Sequence, residues 1–223
     1  MPKYSPSGGV KKMEADLITK EQYEELSVLY KCGLRIVLAQ IENSREVMEI
    51  SHEGRNVYQS IYSRIKEYDS VIKKCEHKGI VPTATNIINN IRDIAGIRVI
   101  TLLLGDVHRI RDEIVKIPGL IITDEKDYIE RPKPNGYRSL HLIATVPVPF
   151  EGKTKPATVE IQIRTLAQEL WSQVEHYLCY KNDNGKPADL APEMFDKLSP
   201  ILWNFDQEAD KIATKQNPED CSE

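Results

Sequence analysis

The sequence predicts an α/β (α+β) domain, with a mixed sheet of about five strands flanked by helices and helical extensions at both ends. Three observations predict it. Apolar residues recur at helical spacing from Tyr23 to Ile41. Short runs rich in Val, Ile and Tyr alternate with helical patterns through the middle of the chain. A second helical region follows residue 192. With 223 residues, 40% of them hydrophobic and 29% charged, the chain can bury a core, which excludes a mainly disordered protein.

The elements follow in order. Residues 1–18 read as a disordered leader, and 19–215 as one domain with its core at 55–181. Thr19 and Gln22 form a capping box. Tyr23, Leu26, Tyr30, Leu34, Val37 and Ile41 then predict a helix over 20–51, ended by Gly54. A strand is expected over 56–65, with Tyr62 and Arg64 on one face and Ile61 and Ile65 on the other. Helices are expected over 67–78, closed by Gly79, and over 83–91. Gly96–Leu104 is an apolar run that suits a central strand. Asp106 should cap a helix reaching Lys116, before a short strand at 120–123. Arg131–Gly136, with two prolines and a glycine, reads as a loop. Strands at 138–147 and 157–164 flank a Pro/Gly/Lys turn region. Thr165 and Gln168 repeat the capping box ahead of a helix, 192–214 is helical, and 216–223 is a disordered tail.

Net charge is -4, from 30 basic and 34 acidic side chains, which excludes broad electrostatic binding of duplex nucleic acid. The distribution is uneven. Arg55–Arg98 holds eight basic residues against four acidic, whereas 182–223 holds four against ten. The middle of the chain is suited to meet negative charge. No run of about 18 apolar residues predicts a membrane span, and the first residues lack a signal-peptide core. Cys32, Cys75, Cys179 and Cys221 form no CxxC pair and read as reduced thiols of a cytoplasmic protein.

Four segments could carry chemistry. In Val159-Glu160-Ile161-Gln162-Ile163-Arg164, strand alternation puts Glu160, Gln162 and Arg164 on one face. This is either a solvent-facing side or a polar row in a cleft. Arg92-Asp93-Ile94-Ala95-Gly96-Ile97-Arg98 sets Asp93 beside a hydrophobic strand, as a turn cap or as a second carboxylate. Two carboxylates and substrate phosphates together can hold Mg²⁺. Lys133-Pro134-Asn135-Gly136-Tyr137-Arg138-Ser139-Leu140-His141 combines an Asn-Gly turn with an aromatic ring near Lys, Arg and His. Such a group suits a nucleobase bearing phosphates, although packing roles for Tyr137 and His141 satisfy the same pattern. Arg64 and Lys66 lead a basic strip with Lys73, Lys74 and Lys78, which is either a solvated face or a cover for polyphosphate. The chain has no GxxxxGK[ST], no GxGxxG, no HExxH and no nucleophile elbow.

Taken together and in this order, the Arg92–Arg98 segment, Asp127-Tyr128-Ile129 with Lys133–His141, and Val159–Thr165 resemble the synthetase domain of RelA/SpoT-type alarmone synthetases. The similarity spans about 55–181 and implies a small member without the hydrolase or C-terminal regulatory domains. It implies a nucleotidyltransferase-like synthetase fold and transfer of pyrophosphate from ATP to the 3′-hydroxyl of GDP or GTP in the stringent response. By this resemblance Asp93 and Glu160 hold Mg²⁺, and Glu160 activates the ribose hydroxyl. Arg64 and Arg98 sandwich adenine, and Lys66 and Lys74 contact ATP phosphates. Tyr137 stacks on guanine, with Lys133, Asn135, His141 and Gln162 around the acceptor. Asp124-Glu125-Lys126-Asp127 stands where long members carry Arg-x-Lys-Asp or Glu-x-Asp-Asp. Lys126 follows the basic version, as a GDP/GTP contact, and Asp124 does not. The resemblance also implies a homotetramer, with an alarmone or single-stranded RNA as regulators. The competing expectation is a catalytically silent nucleotide or single-stranded RNA sensor that uses the same cleft.

Overall fold

In a computed structural model, residues 17–51, 57–180 and 191–216 are described. Helix Lys20–Ser51 (α1) leads to strand Ser60–Ile65 (β1), helices Tyr68–His77 (α2) and Ala84–Asn90 (α3), and strand Ala95–Thr101 (β2). Helix Leu104–Val115 (α4) and strands Ile121–Asp127 (β3), Leu140–Phe150 (β4) and Lys153–Thr165 (β5) follow. Helices Leu166–Tyr180 (α5) and Ala191–Gln216 (α6) complete the order. The five strands form one mixed sheet, β1-β2-β5-β4-β3, in which only the β2–β5 pair is parallel. The expected mixed sheet with flanking helices is thus observed. The Gly54 helix stop, the leader up to residue 16 and the tail from 217 lie outside the described residues.

Strand alternation separates the two faces of this sheet. Val159, Ile161 and Ile163 on β5 share a face with Leu142 and Ala144 on β4 and with Ile97 and Val99 on β2, and all seven are buried. Each of the Val, Leu and Ile side chains removed from water contributes about 1.5–3 kcal/mol. Helix α1 lies across this face, and Gly33 is the point of contact. A Cβ at Gly33 would come within 2.5 Å of Ala157 Cβ, so the approach is possible only without a side chain. Val107, Ile110 and Ile114 of α4 join the same core.

Both capping boxes form. Thr19 Oγ1 accepts from Gln22 N and Gln22 Oε1 from Thr19 N; Thr165 and Gln168 make the same exchange. The expected Asp106 cap does not form. Asp106 is buried within the first turn of α4 and pairs with Arg109, while Asp210 of α6 accepts from Gly105 N at 2.8 Å and caps α4 from outside. Several strand ends also shift. β1 begins at Ser60 and β2 stops at Thr101, where α4 takes over. β3 extends to Asp127 because Asp124–Asp127 pairs with Leu140–Ile143 past a bulge. The expected turn region between β4 and β5 is instead a long hairpin arm closed by Glu151 and Gly152, both at positive φ. Pro147, Pro149 and Pro156 are tolerated there because, beyond Thr145 and Thr158, each strand has a single neighbour.

Helix α6 packs against α5 and fastens the loop before β4. Ser199 Oγ donates to Gly136 O at 2.9 Å, and a Cβ at Gly136 would sit 2.6 Å from Ser199. Gly136 has φ 83°, so both its backbone and its contact call for glycine. Trp171 and Phe195 meet beside Tyr137, and the Arg138 guanidinium lies 3.9 Å from the Trp203 ring centre. Asp206, only 1% exposed, accepts from Thr165 Oγ1 at 2.7 Å, while its Oδ1 is buried without a partner.

Burial pushes the Asp206 carboxyl up to about 6; Thr165, the nearby Gln168 amide and Arg138 oppose this and Asp210 adds to it. Unfolded, it titrates near 3.9. Because the folded value is the higher one, the folded state binds the proton more tightly. Stability from this group is greatest below about pH 4, falls between about pH 4 and 6, and is level above. The difference amounts to about 3 kcal/mol. Asp206→Asn should therefore raise the melting temperature at pH 7 and flatten its slope between pH 4 and 6. A thermal melt series showing an unchanged slope would contradict this account.

Candidate active site

The second face of the sheet is polar across all five strands. Register places Tyr62 beside Arg98 and Arg64 beside Gly96. The parallel pair places Gly96 beside Glu160 and Arg98 beside Gln162, and β4 adds His141 beside Gln162. Lys126 on β3 pairs with His141. The row Glu160, Gln162, Arg164 therefore lines a cleft and is not a solvent-facing side.

Glu160 is held through both carboxylate oxygens. Its Oε1 lies 3.2 Å from His141 Nδ1, and its Oε2 accepts from Gln162 Nε2 at 2.8 Å. His141 Nε2 is 2.8 Å from the Tyr137 hydroxyl. Burial raises the Tyr137 phenol, so it keeps its proton, and the hydroxyl, the His141 ring and Glu160 form one hydrogen-bonded chain. Burial also pushes Glu160 up, but the hydrogen bond and charge of His141 outweigh it, and the carboxyl stands below its ordinary range. Asp93 behaves alike. Burial raises it, yet Lys66 Nζ at 2.5 Å and Lys74 Nζ at 2.7 Å, both on Oδ2, hold it below the usual carboxylate range. Both carboxylates are therefore anions at neutral pH. Asp93 also raises Glu160 through its charge, as expected of acids facing one space.

Three connected cavities describe the cleft. A small one of about 100 Å³ is lined by Arg64, Asp93, Gly96, Arg98, Glu160 and Gln162. A chamber of about 910 Å³ adds Lys133, Asn135, Tyr137, Arg164 and residues 169–178 of α5. A third, of about 360 Å³, lies past Asp93 and Glu160 and carries Lys74, Lys78, Arg92 and Lys126. The structure thus gathers Arg64, Arg98, Gln162, Lys133, Asn135 and Tyr137 in one space. It puts Lys126 elsewhere, with Lys74 and the two acids and 3.6 Å from Asp124, and not beside Tyr137.

The donor set suits Mg²⁺. Asp93 Oδ1 is buried with no partner, and Glu160 is the second ionised oxygen donor. No cluster of three or more His, Cys, Asp or Glu suited to a metal exists among the described residues. Two carboxylates that leave the remaining positions to substrate phosphates and water are the arrangement Mg²⁺ favours.

Several contributors were not anticipated. Tyr128 stands edge-on to His141 and Tyr137, and Lys133 Nζ lies 4.9 Å and 4.8 Å from the Tyr128 and Tyr137 ring centres. Buried Glu169 of α5 reaches Arg98 and Arg164. Tyr128 is visible in the sequence as an aromatic beside the loop; for the Glu169–Arg98 contact no local pattern exists, because it spans 71 residues.

The chain matches a family model described as the region found in RelA / SpoT proteins over residues 63–185. GTP pyrophosphokinase YwaC of Bacillus subtilis is 34% identical over 174 residues, covering 78% of this chain and 82% of that protein. GTP pyrophosphokinase YjbM of the same organism is 27% identical over 192 residues, 86% and 89% of the two chains. The crystal structure of small alarmone synthetase 1 from Bacillus subtilis bound to its product pppGpp superposes with a TM-score of 0.80 at 26% identity, covering 87% and 98%. A GTP pyrophosphokinase family protein from Streptococcus pneumoniae gives 0.79 at 28%, covering 90% and 97%. The chain belongs to the RelA/SpoT family.

Gly96 makes the cleft testable. A Cβ there would meet nothing within 4 Å, and its φ is not positive, so neither packing nor backbone calls for glycine. The empty space is the floor between Arg64 and Glu160. Gly96→Leu should keep the melting temperature within about 2 °C and lower nucleotide affinity at least about tenfold. Wild-type affinity by calorimetry would show that ligands do not occupy this floor.

Proposed function

We propose that this RelA/SpoT-family chain is a (p)ppGpp synthetase, a GTP diphosphokinase that moves pyrophosphate from ATP to the 3′-hydroxyl of GDP or GTP and releases AMP. The observation that carries this reading is two ionised carboxylates lining one cleft, Glu160 on β5 and Asp93 in the turn before β2, flanked by an arginine pair and by an aromatic–cationic chamber. Similarity to proteins named GTP pyrophosphokinase, and to a synthetase bound to pppGpp, supports it. Residues 19–215 act as the synthetase unit. A pure nucleotide or RNA sensor has little use for two anionic oxygens in a phosphate site.

ATP lies against Arg64 and Arg98, with Lys66 and Lys74 at its phosphates. The guanine ring stacks on Tyr137, Lys133 and Asn135 meet the acceptor's polar groups, and Gln162 and His141 steady Glu160. Lys126, beside Lys74, serves phosphate more readily than guanine. The 3′-oxygen attacks the β-phosphorus, its proton passes to Glu160, and the bond to the α–β bridging oxygen breaks with its electrons leaving on AMP. Mg²⁺, held by Asp93 Oδ1 and Glu160 when bound, supplies charge neutralisation for the phosphates. Fixed cations and orientation supply most of the acceleration in such transfers.

Exposed Leu170, Tyr177, Ile201, Phe205 and Ile212 on α5 and α6 support self-association, proposed as a homotetramer. Free thiols at Cys32 and buried Cys75 support a reducing, cytoplasmic setting. No helix among the described residues is long and apolar enough to cross a membrane.

Glu160→Gln should reduce AMP release from ATP plus GDP by about 10²–10⁴-fold with an unchanged melting curve; full synthesis would remove Glu160 from its role. Tyr137→Ala should raise KM for the guanine nucleotide by about 10–100-fold, given about 1–3 kcal/mol per stacked base, and KM for ATP far less. Equal rises in steady-state assays would reject the stacking assignment.

A further inference from the structure

Glu169 is a buried carboxylate that lines the chamber, and the proposed chemistry gives it no part. It sits in the first turn of α5 with its side chain 4% exposed. Arg98 Nη1 and Gln173 Nε2 both donate to Oε1 at 2.8 Å. Oε2 lies 3.2 Å from Arg164 Nε, close enough for an ion pair but without hydrogen-bond alignment. One anion thus serves two arginines of different kinds. Arg164 is 1% exposed and held inside, whereas Arg98 is 30% exposed and lines the donor side of the cleft.

The contacts continue past Arg164. Its Nη2 donates to Gln162 Oε1 at 2.7 Å, and Gln162 in turn donates to Glu160. Its guanidinium lies 5.8 Å from the Tyr137 ring centre, and Tyr137 reaches Glu160 through His141. A continuous polar path therefore joins Arg98 on the donor side to Tyr137 and Glu160 on the acceptor side, and Glu169 is its pivot. Were it neutral, two cations would face one another with no anion between them, which drives them apart. Arg98 would leave the donor wall. Arg164 would release Gln162, and through it one oxygen of Glu160.

We infer that Glu169 is a positioning residue that couples the two nucleotide subsites: a donor nucleotide engaging Arg98 fixes the Glu169–Arg164 pair, which orders Gln162 and Tyr137 for the acceptor. This rests on the synthetase reading above. Such coupling is reciprocal, so each nucleotide tightens the other by the same factor.

The test is calorimetry with an ATP analogue carrying a methylene in place of the α–β bridging oxygen, and with GDP, each alone and in the presence of the other, with Mg²⁺. In the wild-type protein each nucleotide should tighten the other by about tenfold, within the common range of coupling factors. In Glu169→Gln, which keeps the shape and removes the charge, the factor should fall below about twofold. Arg164→Lys, which keeps charge but loses the fork, should give the same loss and decides the matter if Glu169→Gln does not fold. Additivity gives a further check, because combining the two should lower coupling no further than either does alone. Absence of coupling in the wild type, or wild-type coupling in the folded variants, overturns the role of Glu169. Wild-type protein that releases no AMP from ATP and GDP overturns the synthetase reading itself.

Discussion

The parallel pairing of β2 with β5 is the constraint on which the rest depends. It is the only parallel step in the sheet, and it sets Gly96 against Glu160 and Arg98 against Gln162. A slip of one residue would turn Glu160 into the core and Ile161 into the cleft. The buried aliphatic face prevents that slip, since Val159, Ile161 and Ile163 have a core to fill only in this register. The apolar face thereby positions groups it never touches. Because those groups stand on central strands, they are held more stiffly than loop residues would be.

Placing charges on such a platform has a cost, since ionised groups removed from water need partners. The cleft meets it by sharing. Asp93 Oδ2 satisfies two lysines, Glu169 two arginines, and Glu160 both Gln162 and His141. Sharing leaves Asp93 Oδ1 buried with neither a hydrogen bond nor an ion pair, a feature of a site made for something brought from outside. It also explains why both acids stand below their ordinary range although burial alone would raise them.

Much of this was legible in the sequence wherever a pattern has a period or a local partner. Alternation in 159–164 exposed the polar row, and two capping boxes located helix starts that the structure reproduces. Periodicity could not say whether the row faced water or a cleft, because that depends on α5 closing over it. Asp106 misled because a first-turn acid mimics a cap, whereas the true cap, Asp210, comes from more than a hundred residues away. The prolines of 147–156 read as a turn because local rules cannot see that both strands there lack second neighbours. The motif by itself suggests a guanine contact for Lys126; its place on β3, lining the cavity of Lys74, Asp93 and Glu160, comes from strand pairing that no local pattern reports. The Glu169 contact with Arg98 lay beyond local reading, since it joins strand β2 to a helix 71 residues further along the chain.

Charge distribution has a structural use as well as a functional one. The net charge of -4 hides a basic centre and an acidic C-terminal segment. The basic centre supplies Arg64, Lys66, Lys74 and Arg98 to the cleft. The acidic segment is not merely a solvated counterweight. Asp206 is spent inside, on the hydroxyl of the Thr165 capping box, and Asp210 caps α4. Both ties bind α6 to elements that begin where the sheet ends, and Ser199 of the same helix holds Gly136, one residue before Tyr137. A helix whose acidity would oppose anionic ligands therefore keeps the acceptor loop in place, while Asp206 and Asp210, engaged with a hydroxyl and a helix start, stay out of the phosphate-binding space.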